Sequence, residues 1–313
     1  MTRARRLTAV LATAGVLALT GCGIEERIVH LQPAPTENAE VGAPRRAEAA
    51  ERIAARVLTE VAEAETAEER AALATGPALR VLNARGAAYA SATEAPAAVV
   101  VPSTPTVLAV SEGQDWPRAI LAATLDETTQ VQSLHVLVST GPTEPFRLYA
   151  TAPMLGGTSV PSLGEFTDGA AFEVSSAEAA IPASEVFTDY AAGITFPRPA
   201  QVDSVKVDDP YATSLRANAQ EQVEVLGDLG AVAQSHTPVA DSILSFATAD
   251  GGYITFGQMV RSDRVALTDE AQELNVEDDR LQELSGEDVV TDSFTAEHLE
   301  NLVMIVPADA PGE

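Results

Sequence analysis

The chain has 313 residues, with 46 acidic side chains against 19 basic ones and a formal charge of −27. That balance supplies no footprint for nucleic acid or for anionic lipid headgroups. The single cysteine, Cys22, excludes an internal disulfide, so the folded part depends on its core alone.

Arg3, Arg5 and Arg6 precede an apolar run from Leu7 to Leu19, the charged and apolar regions of an export signal. The run is shorter than the roughly 20 apolar residues a spanning helix needs, and it leads into Leu19-Thr20-Gly21-Cys22. This tetrapeptide resembles the bacterial lipobox. The resemblance implies a diacylglycerol on the Cys22 sulfur, cleavage in front of it, and palmitate-type chains holding the protein on the outer face of the cell membrane. Each buried methylene contributes about 0.8 kcal/mol, so two chains give durable attachment where one is marginal. Removal of residues 1–21 takes away three arginines and no acid, which moves the charge to −30. Residues 22–46, with Pro33, Pro35 and Pro44 among polar residues, read as a tether with a reach of roughly 25 Å.

From Ala47 the spacing of Ile53, Val57 and Val61 predicts an amphipathic helix. Thr66 followed by Glu69 has the form of a capping box for a second helix, which Gly76-Pro77 is expected to end, and Leu79, Leu82 and Tyr89 suggest a third. Extended segments are expected at 97–101, 106–110, 118–124, 134–138 and 146–152. Leu134, Val136 and Val138 should share one face with His135 opposite, and Phe146, Leu148 and Ala150 should share another. Residues 151–183, with Gly156-Gly157, Pro161 and Gly164, read as an irregular connection.

A second helical stretch near Ser184 follows, then a helix started by Asp209 as cap with Pro210 behind it. Strands are expected at 242–249 and 252–260 around the Asp250-Gly251 turn, and again at 289–294 and 299–306. The order of helices followed by strands thus occurs twice. The expected fold is α+β, with two similar halves at 47–183 and 184–313, each packing N-terminal helices on a curved antiparallel sheet. The halves are similar to nuclear-transport-factor-like or cystatin-like cones. The faces of Leu134-Val136-Val138 and Val303-Ile305 are expected to meet at a shared centre.

Few residues invite chemistry. His30, His135, His236 and His298 are scattered without metal-ligand spacing. The nucleophile-elbow, Gly-rich dinucleotide and phosphate-loop patterns are missing, so no cofactor is implied. The acids at Asp203, Asp208 and Asp209, or at Glu277, Asp278 and Asp279, follow no calcium-loop spacing. Trp116 is the single tryptophan and stands beside Pro117 and Arg118, where indole and guanidinium could form a ligand platform or could simply cover a sheet end.

The strand 106–110, the turn 111–115, Trp116-Pro117-Arg118 and the next strand together resemble a hairpin that recurs in actinobacterial surface lipoproteins. The Phe146-Arg147-Leu148 strand and the segment from Met154-Leu155 to Pro161 fit the same group. That group has no established activity, so the resemblance implies location and architecture. The expected role is a non-enzymatic binding or scaffolding lipoprotein of the envelope, with an envelope protein or ligand as partner and no nucleic acid. The alternatives are the solute-binding lipoprotein of an importer, marked by a two-lobed cleft, and an envelope hydrolase, marked by two close, buried carboxylates.

Overall fold

In the computed structural model, which describes residues 47–88, 104–113, 115–173, 181–271, 273–276 and 278–308, the first helix α1 (Ala47–Glu63) buries Ala50, Ala54, Val57, Leu58 and Val61 along one face. Cys22, the rest of the lipobox, the tether and the strand expected at 97–101 lie outside the described residues. Thr66 caps α2 (Ala67–Leu73) reciprocally: its Oγ1 accepts from the Glu69 amide at 3.2 Å and its own amide donates to Glu69 Oε2 at 2.9 Å. Gly76-Pro77 does not end that helix. The helix stops at Leu73, and the pair forms the first turn of α3 (Gly76–Ala88), where proline's missing N–H has no intrahelical partner to lose.

Strands β1 (Thr106–Val110), β2 (Arg118–Leu125), β3 (Gln132–Ser139) and β4 (Arg147–Pro153) form an antiparallel meander in that order. One expected alternation fails within β4. Val136 pairs with Ala150 but Leu137 pairs with Leu148, so Tyr149 is an extra residue and the pleat flips across it. Leu148 with Phe146 therefore packs beneath the helices, whereas Ala150 joins Leu134, Val136 and Val138 on the other side.

Among the described residues, the connection after β4 is irregular apart from β5 (Phe172–Glu173). Helix α4 (Ala183–Gly193) precedes α5 (Pro210–Leu226), which starts as expected: Asp209 Oδ1 accepts from the Tyr211 and Ala212 amides at 2.9 and 3.0 Å. The Tyr190 hydroxyl of α4 donates to the other Asp209 oxygen at 2.8 Å, which pins the two helices together. Strands β6 (Gly230–Ala247) and β7 (Tyr253–Leu267) run much further than expected, and β10 (Ser293–Val306) pairs with β7 along its whole length. Between β7 and β10 a small excursion holds β8 (Leu274–Asn275), α6 (Asp279–Ser285) and β9 (Val289–Val290). The strand expected at 289–294 is thus two strands. The second sheet has the order β10-β7-β6-β5 and is also an antiparallel meander.

The protein is α+β, and residues 40–313 form one compact unit. Three apolar clusters give its layering. Val57, Val61, Ile120, Ala122 and Leu137 fill the space between α1–α3 and the first sheet. Leu121, Leu134, Val136, Phe246, Ile254 and Phe256 lie between the two sheets, and Val186, Phe187, Leu215, Tyr253 and Met259 lie between the second sheet and α4–α5. Strand β2 is buried on both faces, which explains its nearly unbroken apolar run. His135 does lie opposite Val136, but under the helices rather than in water, with Thr124 Oγ1 and Thr151 Oγ1 at 2.7 and 3.0 Å from its ring nitrogens. Val303 packs at the inter-sheet centre as expected. Ile305 does not: at the end of edge strand β10 it is 48% exposed.

A polar seam joins the halves. Buried Gln258 donates to Asn301 Oδ1 at 2.9 Å and to the Pro77 carbonyl at 3.3 Å, and the Tyr149 hydroxyl donates to the Asp241 carbonyl at 3.1 Å.

Candidate functional site

The far ends of β6, β7 and β10 form a three-stranded ribbon. Residues 240–243 interrupt the pairing of β6 with β7, since Val239 pairs with Gln258 and Leu244 with Phe256. The interruption flips the pleat, so Gln234 and His236 point to the helix side while Leu244 and Phe246 point to the inter-sheet core.

On the helix side, the register aligns His236, Arg261 and His298 in one row across the three strands, with Gln234 and Asp263 in the next row and Met259 and Glu300 in the row beyond. Arg261 is the hub. Its Nε donates to Asp263 Oδ2 at 3.0 Å and its Nη1 to Glu300 Oε1 at 2.6 Å. Gln234 Nε2 donates to Asp263 Oδ1 at 2.7 Å, and His298 Nε2 lies 3.2 Å from Asp263 Oδ2. The His236 side chain is fully buried, with Nε2 3.5 Å from Glu300 Oε2. Among the described residues, neither His236 nitrogen makes a hydrogen bond of ordinary geometry, nor do Glu300 Oε2, Gln234 Oε1 and the Tyr211 hydroxyl.

Burial and the Arg261 charge hold the His236 ring neutral, with its pKa pushed down to about 4. The two carboxyls move in opposite directions. Burial raises Glu300 against the pull of Tyr211 and Arg261. For Asp263, burial also pushes upward, but hydrogen bonds from His298 and Gln234 and the charge of Arg261 outweigh it and the pKa falls. Among the described residues no three or more His, Cys, Asp or Glu side chains are grouped to hold a metal. Here the guanidinium occupies the place between the two carboxylates that a cation would take.

The opposite side of the ribbon is open. Ala233, Arg264 and Thr295 form one row and Ser235, Ser262 and Glu297 the next. The segment after α4 meets the β6 edge here, with reciprocal backbone hydrogen bonds of 2.9 Å between Phe196 and Gln234. Thr195 and Phe196 thereby wall a cleft of about 370 Å³ whose floor carries Ala233, Gln234, Ser235, Ser262, Arg264 and Thr295. Among the described residues, three of the four arginines on strands are engaged: Arg118 with Trp116, Arg147 with Glu144, and Arg261 as described. Arg264 is exposed and has no hydrogen-bond or ion-pair partner among the described residues.

The residues singled out in the sequence distribute differently. Arg118 stacks on the Trp116 ring at 4.8 Å from its centroid and is nearly buried. Asp209 and Asp278 serve as helix N-caps, and Asp278 also pairs with Arg280 at 2.6 Å. Glu277 and His30 lie outside the described residues. Arg261, Asp263, Arg264 and Phe196 lay outside every strand expected from the sequence, and Glu300 gave no signal beyond its place in the strand expected at 299–306. The pairing of β6, β7 and β10 brings the strand residues together, the bridge to Gln234 adds Phe196, and the excursion of β8, α6 and β9 hides the pairing of β7 with β10 in the sequence.

The chain matches no family model, no curated protein and no solved structure.

Proposed function

We propose that the protein is a lipoprotein of the cell envelope, anchored through Cys22, with a non-enzymatic binding role carried by the ribbon of β6, β7 and β10. The observation that carries the binding role is the open cleft at Arg264. Unengaged hydrogen-bonding groups gather there around an uncompensated cation, on the part of the second sheet that the first sheet leaves uncovered. The Leu19-Thr20-Gly21-Cys22 motif and the tether behind it support the anchor. No helix among the described residues is long and apolar enough to cross a membrane. The role is tested in two parts: Cys22→Ser should abolish incorporation of labelled palmitate, and the wild-type protein should show saturable binding that a substitution in the cleft weakens.

A second reading has one specific observation in its favour. Asp263 and Glu300 are close, partly buried carboxyls joined through Arg261 and pushed in opposite directions, the pattern of a proton donor and a base in an envelope hydrolase. On that reading Asp263→Asn and Glu300→Gln would each abolish a hydrolytic turnover seen with the wild-type protein on chromogenic glycosides. Turnover unchanged by both substitutions would dismiss it.

A further inference from the structure

Resting on the proposed binding role, we propose that the Arg264 cleft takes a saccharide carrying a carboxylate or phosphate group. The argument begins with charge. In a chain with 46 acids and 19 basic residues, a guanidinium without an acidic partner is free to pair with an acidic group from outside. Its planar fork suits carboxylate and phosphate oxygens, and a charge-assisted pair of this kind is about twice as strong as a neutral hydrogen bond.

The surroundings of Arg264 specify the rest of the ligand. Ser235, Ser262 and Thr295 have hydroxyls without a hydrogen-bond partner among the described residues, and each can both donate and accept. A ligand with several hydroxyls of its own satisfies such a set, whereas an apolar acid would strip water from it without replacement. Half-buried Phe196 supplies the one aromatic wall, against which the C–H face of a sugar ring can lie. Glu297 stands on the same face opposite Ser262, a further acceptor for ligand hydroxyls but a repulsive one for a second acidic group. The site therefore favours one acidic group per ligand. A volume of about 370 Å³ lies near the lower end of small-molecule sites and suits one or two sugar rings.

The test is calorimetric titration of the full-length protein in detergent with glucuronate, glucose 6-phosphate, glucose and inorganic phosphate. Glucuronate or glucose 6-phosphate should saturate with a dissociation constant of about a millimolar, and glucose should bind at least about tenfold more weakly because it lacks the charge-assisted contact. Which acidic sugar binds tells a carboxylate source from a phosphate source. Arg264→Gln, on an exposed side chain, should reduce the acidic sugar to the affinity of glucose. Phe196→Ala should weaken both sugars, and Arg56→Gln on α1 should change nothing. Inorganic phosphate binding as tightly as the preferred acidic sugar would overturn the saccharide assignment, as would the failure of both glucuronate and glucose 6-phosphate to saturate. Sugar binding that Arg264→Gln leaves unchanged would keep a binding role and overturn this site. Loss of palmitate labelling from the wild-type protein would overturn the anchor and leave the cleft result standing.

Discussion

His236 Nε2 and Glu300 Oε2 face each other at 3.5 Å between the second sheet and α5, each without a hydrogen bond of ordinary geometry and each held near the Arg261 guanidinium. The pair makes stability depend on acidity in a definite direction. An unfolded histidine titrates near 6.5, while burial pushes both His236 and His135 down to about 4. Between those values the unfolded chain binds more protons at both positions, so stability falls as the pH drops from about 6.5 toward 4 and levels off below. Glu300 works in the opposite sense over part of the same range, because its raised pKa lets the folded state take up the proton first. Urea unfolding at pH 7 and pH 4.5 should show a loss of a few kcal/mol for the wild-type protein. His135→Gln should shrink that loss, and Glu300→Gln should enlarge it.

Arg261 separates two carboxylates that would otherwise repel each other in a poorly solvated place. Arg261→Met should therefore cost about 3–5 kcal/mol, the penalty for stranding buried charge. Adding Glu300→Leu to Arg261→Met should recover part of the loss. Denaturant midpoints of the single and double variants check this, and a double variant less stable than Arg261→Met alone would contradict it.

Gly257 allows the close seating of α4. A Cβ there would stand 2.5 Å from Phe187 Cζ, and Phe187 is fully buried with little room to retreat. Gly257→Ala should cost about 1–3 kcal/mol by overpacking. Gly156→Ala, where a Cβ meets nothing within 4 Å, should stay within about 0.5 kcal/mol of wild type.

The inter-sheet core draws on both halves, with Leu134 and Val136 from one sheet against Phe246, Ile254 and Phe256 from the other. We propose that the two halves are related as a repeat. On the packing alone, residues 47–183 and 184–313 expressed separately should not fold, and Phe246→Ala in the whole protein should cost about 3–5 kcal/mol. Two separate halves that unfold cooperatively with undiminished stability would refute the shared core.

The helix starts were legible because their signals are local. Thr66 and Glu69 cap each other, and Asp209 caps the Tyr211 and Ala212 amides with Pro210 at the first helical position, as their spacing announces. The Asp250-Gly251 turn was legible for the same reason, and Asp250 Oδ1 accepts from the Gly252 amide at 3.3 Å. The two failed face assignments depended on pairing register. The extra residue Tyr149 and the interruption at 240–243 each reverse the pleat, and no periodicity within one strand reveals that its partner has skipped. For the same reason His236 and His298 looked scattered in sequence although they flank Arg261 in one row of the sheet. Arg264 was unremarkable until its neighbours could be seen to leave it without an acid.

Whether lipid on Cys22 holds the protein at the membrane is decided by Cys22→Ser with labelled palmitate. The wild-type protein should incorporate the label and sediment with membranes, while the Cys22→Ser protein should take up none and fail to be processed as a lipoprotein. Label on the Cys22→Ser protein equal to that on wild type would contradict the claim.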